Sequence, residues 1–137
     1  LKYKSRIRLF DGIPQLLGNL KMNDYQLGIV TSKTRNEYTT DFAVPFALSD
    51  YFCTVICVED TLRPKPFPEP LLSYLNASHI NAENAIYIGD TIYDSQCAQK
   101  AGVDFGFAAW GNAATQGVQA DYLFKRPADI PFSLIKS

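Results

Sequence analysis

The stretch IYIGDTIYD, from Ile86 to Asp94, decides the fold of this 137-residue chain. A short apolar run ends at Gly89, Asp90 follows it directly, and a second carboxylate comes one helical turn later at Asp94. The run has the length and composition of a buried strand, and the residues from Thr91 have the pattern of a helix that ends near Gly102. This stretch therefore predicts a strand-to-helix junction that carries two aspartates.

Strands and helices alternate on both sides of this junction. Apolar runs predict further strands at 25–30, 52–58, 103–110 and 121–124. Helical spacing and proline or glycine punctuation predict helices at 11–22, 34–48 and 69–78. Such alternation is typical of βαβ units, so we predict an α/β fold, a Rossmann-like parallel sheet with helices on both faces. Ligands bind such sheets at the carboxyl ends of the strands.

The bulk composition excludes several classes of function. The formal net charge of −1 gives no general attraction for nucleic acid or an anionic membrane, and no apolar run is long enough to span a bilayer. Three cysteines, Cys53, Cys57 and Cys97, lack the spacing of a zinc site or a disulfide framework, and we predict buried free thiols. A reducing, cytoplasmic setting fits best.

Polar residues at the predicted strand ends are the candidates for chemistry. Asp90 at a strand tip, with Asp94 one turn further, can face one point, and Mg²⁺ binds one or two carboxylates together with substrate phosphate. Thr31 and Ser32 follow the strand at 25–30, where a hydroxyl and backbone N–H groups can cradle an anion. Lys65 lies between prolines, in a loop that holds its charge in place.

Each of these residues also has a plainer interpretation. Thr31 or Ser32 can serve only as the N-cap of the next helix. Asp94 lies three residues after Thr91, a capping pattern, and an acid in a first turn suits the helix dipole. Lys65 can be a solvated loop lysine. The residues alone leave these alternatives open.

The order of the three segments resembles a known family. LGIVTSK (27–33), RPKPFPEP (63–70) and IYIGDTIYD (86–94) resemble the second, third and fourth motifs of the haloacid dehalogenase superfamily, closest to its phosphoglycolate phosphatase and β-phosphoglucomutase branch. The resemblance covers nearly the whole chain from about residue 8.

The resemblance implies a role for each candidate. Thr31 would hydrogen-bond the phosphate with help from the Ser32 N–H, and Lys65 would neutralise charge between phosphate and nucleophile. Asp90 would bind Mg²⁺, and Asp94 would lie near the metal or pair with Lys65. Phosphoryl transfer depends on such positioning and charge neutralisation.

The first motif of the family, a DxD sequence that supplies the nucleophile, is not found. In LFDGI (9–13) only Asp11 is present, the residues before it are charged, and Asp11 is better interpreted as a helix cap. In the family's sheet the first strand lies between the strands that end at Thr31 and Gly89. We therefore predict that 1–12 is the end of a cap domain and its return linker, and that 13–137 is an incomplete core. A missing N-terminal segment or a partner chain would complete the sheet.

The resemblance implies a Mg²⁺-dependent phosphatase of a small phosphorylated metabolite, such as phosphoglycolate, that works through an aspartyl phosphate. Without the nucleophile the chain alone is expected to be inactive. The alternatives are a phosphomutase of the β-phosphoglucomutase type and a non-catalytic module of the same fold. No nucleic-acid or membrane partner is expected.

Overall fold

Most of the chain from the first predicted strand onward is described by the computed structural model. It describes residues 20, 22, 25–44, 52–110, 118–127 and 129–130. The predicted cap remnant and linker at 1–12 lie outside the described residues, as does nearly all of the helix predicted at 11–22. The predicted candidates of the site, from Thr31 to Asp94, all lie within them.

The described residues form alternating strands and helices, which confirms the predicted α/β class. The strands are β1 (Gly28–Val30), β2 (Thr54–Ile56), β3 (Ile86–Gly89), β4 (Asp104–Ala108) and β5 (Tyr122–Phe124). The helices are α1 (Arg35–Tyr38), α2 (Glu69–Ser78) and α3 (Ile92–Ala101). A π-helical turn (Thr39–Ala43) continues α1, and 3₁₀ turns lie at Val58–Asp60 and Ala82–Asn84.

The sheet is parallel and consists of two parts. β1 pairs with β2, and β3, β4 and β5 pair in that order. Within the described part of the chain, no strand joins β1 to β3. On one face α2 packs on β1 and β2, α3 packs on β3 and β4, and the two helices contact each other. The helix layer therefore holds the two parts of the sheet together.

Alternation along the strands gives each face of the sheet its own apolar cluster. The cluster beneath α2 and α3 includes Leu71, Tyr74, Phe105 and Phe107, and Tyr87 packs against it. The cluster on the other face has different members, namely Leu20, Phe124 and Ile130, with Ile86 and Ile88 packed against them. Successive residues of β3 thus point to opposite faces, as expected for a strand with packing on both sides.

The strands on either side of the interruption differ in burial from the strand inside the three-stranded part. Every residue of β1 and β3 is only half-buried, whereas β4, with a neighbour on each side, is buried from Phe105 to Ala108. Between 27–30 and 86–89 lies a cavity of about 1130 Å³, here called the inter-sheet cleft. The described sheet is therefore open at the place where the predicted first strand belongs.

The three predicted buried thiols have different outcomes. Cys57 and Cys97 are buried free thiols, as predicted, but Cys53 is exposed because β2 begins only after it, at Thr54. The prediction of a buried thiol at Cys53 is wrong. Over the described ranges there is no helix that is both long and apolar enough to cross a membrane.

Candidate functional site

The β3–α3 junction folds as its sequence predicts. Thr91 is the N-cap of α3, and its hydroxyl accepts a hydrogen bond from the Asp94 N–H at 3.1 Å. The Asp94 carboxylate in turn accepts a hydrogen bond from the Thr91 N–H, which completes a capping box. At the other end Gly102 caps the helix in the left-handed region, with φ of 75°. The junction therefore holds Asp90 and Asp94 on a rigid turn.

Asp94 is buried and fully engaged. Its Oδ1 atom accepts from Lys65 Nζ at 2.6 Å and lies 3.1 Å from the Tyr87 hydroxyl. Its Oδ2 atom accepts from the backbone N–H groups of Asp90 and Thr91, at 3.2 and 3.3 Å. Burial would raise the pKa of Asp94, but the Lys65 ammonium and the hydrogen bonds outweigh it and hold that pKa below its usual value.

Gly89 makes room for this carboxylate. A Cβ atom at Gly89 would lie 2.6 Å from Asp94 Oδ2 and 2.7 Å from Asp94 Cβ, closer than such atoms approach. The Asp94 side chain therefore requires a glycine at position 89, directly before Asp90, and the turn itself does not.

Lys65 is a positioned charge and not a solvated loop lysine. Its side chain is 11% exposed, and its Nζ atom bonds both Asp94 and, at 2.9 Å, the Tyr87 hydroxyl. The loop is tied to the start of α2, since Arg63 forms an ion pair with Glu69 and its N–H donates to Glu69 Oε2 at 3.1 Å. The Lys65–Pro66 peptide bond is cis.

Thr31 and Ser32 form the turn between β1 and α1. The Thr31 N–H continues the β1–β2 ladder by donating to the Ile56 carbonyl at 2.9 Å. The Thr31 hydroxyl accepts from the Lys33 N–H at 3.1 Å, which leaves its own proton for a ligand. The N-cap of α1 is Thr34, so neither Thr31 nor Ser32 is needed as a cap.

The structure brings all five predicted residues to one pocket of about 440 Å³ at the carboxyl ends of β1 and β3. The predicted residues that line it are Thr31, Ser32, Lys65, Asp90 and Asp94. Four further residues line it that were not predicted for the site, namely Lys33, Glu37, Thr91 and Tyr93. We refer to it as the phosphate pocket, after the ligand that the family resemblance implies.

Tyr87 is not among the residues predicted for the site, since it lies in the run predicted as a strand buried in the core. Its ring does pack there, but its hydroxyl contacts Lys65 and Asp94. Strand alternation places Tyr87 on the same face as α3, and this was the one available signal.

Asp90 is exposed, whereas Asp94 is buried. Within the described residues no side chain bonds its carboxylate, and no group of three His, Cys, Asp or Glu side chains is placed to hold a metal ion. A single free carboxylate beside the phosphate pocket nevertheless fits Mg²⁺, which keeps several waters and takes phosphate oxygens as ligands. The structure shows Asp94 paired with Lys65, and its alternative role near a metal stays a prediction.

Known proteins are similar to this chain in sequence and in fold. The family model described as haloacid dehalogenase-like hydrolase matches residues 2–108. Pyrophosphatase PpaX of Bacillus velezensis is 29% identical over 132 residues, which are 94% of this chain and 61% of that protein. The chain thus spans about three fifths of the length of this relative.

Solved structures agree. A candidate phosphoglycolate phosphatase from Lactobacillus plantarum has a TM-score of 0.87 and 35% identity, over 94% of this chain and 62% of that one. A candidate β-phosphoglucomutase from Thermotoga maritima has the same TM-score of 0.87 at 20% identity, over 98% and 63%, and shows likeness of fold alone. With the family model matching well over half of its length, this chain belongs to the haloacid dehalogenase-like hydrolase family.

Proposed function

We propose that this chain is the phosphate- and metal-binding part of a Mg²⁺-dependent phosphatase that acts on a small phosphorylated metabolite, such as phosphoglycolate. The observation that supports this most is the phosphate pocket. A hydroxyl, a backbone turn, a positioned ammonium and an exposed carboxylate converge there from three separate segments. These are the groups that phosphoryl transfer uses.

The residues of the chain divide the work of holding a phosphoryl group. The Thr31 hydroxyl and the Ser32 N–H donate to phosphate oxygens. The Lys65 ammonium neutralises negative charge, and Asp94 keeps it pointed at the pocket through the 2.6 Å ion pair. Asp90 is the residue that would hold Mg²⁺, which when bound supplies further charge neutralisation for the phosphate.

The nucleophile comes from a first strand that enters the inter-sheet cleft, carried by an N-terminal segment or a partner chain. Its aspartate carboxylate attacks phosphorus, so that a P–O bond to the carboxylate forms and the P–O bond to the leaving group breaks. The leaving oxygen takes a proton from an acid on the same segment. Water then cleaves the acyl phosphate and releases inorganic phosphate.

The test uses the full-length protein with its first strand in place. Release of phosphate from small phosphate esters is measured with and without Mg²⁺, in the wild type, in Asp90→Asn and in Glu83→Gln. The second variant changes a carboxylate to an amide in the 3₁₀ turn before β3, at the opposite end of that strand. We expect Asp90→Asn to abolish Mg²⁺-dependent turnover and Glu83→Gln to retain it. Full turnover in Asp90→Asn contradicts the assignment of Asp90.

Two alternatives appear as other outcomes of the same assay. A phosphomutase would convert a sugar phosphate to its isomer with little free phosphate. A non-catalytic module would give neither product, even with the first strand present.

A cytoplasmic location is proposed with the same function, because it suits the free thiols of Cys53, Cys57 and Cys97.

A further inference from the structure

The hydroxyl of Tyr87 lies where the inter-sheet cleft meets the phosphate pocket. It accepts from Lys65 Nζ at 2.9 Å, lies 3.1 Å from Asp94 Oδ1 and lies 3.0 Å from the carbonyl oxygen of Val30 in β1. One hydroxyl therefore touches the ion pair of the site and the edge of the opposite part of the sheet.

The hydroxyl has one proton and two acceptors in reach. A phenol donates one hydrogen bond, so it bonds either the Val30 carbonyl or the Asp94 carboxylate at a given moment. Burial, and then the charge of Asp94, raises the pKa of the Tyr87 phenol far above its ordinary value. The group is therefore a donor throughout the physiological range, and only its acceptor can change.

The Val30 carbonyl points into the inter-sheet cleft. In a parallel ladder successive residues turn their backbone groups to opposite sides. The Thr31 N–H bonds Ile56 in β2, so the carbonyl of the preceding residue, Val30, faces away from β2. A strand that paired with this edge of β1 would offer a backbone N–H to Val30, and the Tyr87 proton would then be left with Asp94.

We propose that Tyr87 is a positioning residue that couples pairing of a strand in the inter-sheet cleft to Lys65. When a strand bonds Val30, the Tyr87 hydroxyl donates to Asp94, and the closed contact of Tyr87, Lys65 and Asp94 fixes the ammonium toward the phosphate pocket. The inference rests on the proposed function, because it assumes that a strand completes the sheet.

The contacts support a role in orientation and not in chemistry. Tyr87 lines the cleft but not the phosphate pocket, whereas Lys65 and Asp94 line both. The phenol thus lies behind the ion pair as seen from the pocket. Its removal should impair what Lys65 does while leaving the other groups that bind phosphate in place.

The kinetic test uses the full-length protein and four forms, namely wild type, Tyr87→Phe, Lys65→Met and the double variant. A hydrogen bond to a charged group is lost, so we expect Tyr87→Phe to lower kcat about tenfold to a hundredfold with little change in KM. In the Lys65→Met background the same change should cost almost nothing. Tyr38→Phe is the control, because Tyr38 is buried in α1 and lines neither the inter-sheet cleft nor the phosphate pocket. Equal losses in both backgrounds overturn the proposal.

A second test identifies the acceptor of the Tyr87 hydroxyl proton without an activity assay. It therefore tests this proposal even where the protein proves not to be a phosphatase. The full-length protein carries ¹³C at the Val30 carbonyl and the Asp94 carboxylate. We expect Tyr87→Phe to shift the Asp94 resonance and leave that of Val30 unchanged, and the opposite pattern overturns the proposal. If Tyr87→Phe does not fold, 3-fluorotyrosine at position 87 keeps the ring and strengthens the donor, and the same resonance should move.

Discussion

Asp90 and Asp94 belong to the same strand-to-helix junction, yet their surroundings differ. Asp94 is 5% exposed and bonds a lysine, a tyrosine and two backbone N–H groups. Asp90 is exposed, and among the described residues no side chain bonds its carboxylate. One carboxylate is committed to the fold and the other is available to a ligand.

This difference shows how a short motif separates structure from chemistry. A buried charge is tolerated only when it is paired and hydrogen-bonded, and Asp94 meets that condition by fixing Lys65. A metal ligand needs lone pairs that the fold has not used, and Asp90 keeps them. The glycine before Asp90 makes the arrangement possible, because it leaves space for the Asp94 side chain.

The largest expected effect comes from replacing the buried member of the pair. Asp94→Asn leaves the Lys65 ammonium buried without its counter-charge, so the free energy of unfolding should fall by about 3–5 kcal/mol. Asp90→Asn is the matched control at the exposed position and should stay within about 0.5 kcal/mol of the wild type. Urea denaturation measures both, and equal losses would show that the two carboxylates do not differ as the structure indicates.

Local signals in the sequence were enough to predict the β3–α3 junction and the helices α2 and α3. The Thr91–Asp94 capping pattern and Gly102 fixed the ends of α3, and proline after an extended loop fixed the start of α2. The helix predicted at 69–78 matches α2 at both ends. The strands were predicted in the right places but too long, since hydrogen-bond pairing ends sooner than the apolar run does.

The partners of Tyr87 could not be read from the sequence. They come from β1, from the proline-rich loop and from α3, and only tertiary packing brings these three segments together. An aromatic residue in an apolar strand is usually core, and the ring of Tyr87 follows that rule. Its hydroxyl does not, and alternation along β3 indicates only which face of the sheet Tyr87 is on.

The interruption of the sheet was predicted only through the family resemblance. Apolar runs predict buried strands, but they do not indicate that a neighbouring strand is absent from the sheet. The structure adds a physical sign, because the apolar residues of β1 and β3 are half-buried while those of β4 are buried. A strand with a free edge cannot bury its residues as an interior strand does.

The second effect tests the space at Gly89. Gly89→Ala places a methyl group 2.6 Å from Asp94 Oδ2, so Asp94 must move away from its donors. We expect a loss of about 1–3 kcal/mol in the free energy of unfolding, as for overpacking elsewhere. The double variant Gly89→Ala/Asp94→Asn should lose less stability than the sum of the losses of the two single variants, because both changes act on one interaction. Strict additivity would separate Gly89 from Asp94.

The third effect is the part of the loss of stability in acid that comes from Asp94. Its folded-state pKa is held below the unfolded value, mainly by the Lys65 ammonium working against burial. The carboxylate therefore contributes stability above the unfolded pKa of about 3.9, and this contribution is lost as the pH falls through the folded pKa. The difference in free energy of unfolding between wild type and Asp94→Asn should thus shrink below about pH 4. A difference that stays constant down to pH 2 would contradict this.

The smallest expected effect separates two roles of Asp94, namely the helix cap with Thr91 and the ion pair with Lys65. Thr91→Ala removes the hydroxyl that caps the Asp94 N–H but leaves the ion pair with Lys65, so we expect a loss of about 1 kcal/mol in the free energy of unfolding. Thr91→Ser keeps the hydroxyl and is the matched control. If Thr91→Ala cost as much as Asp94→Asn, the helix cap and not the pair would hold the junction. Lys65 would then lose the anchor on which its place in the phosphate pocket depends.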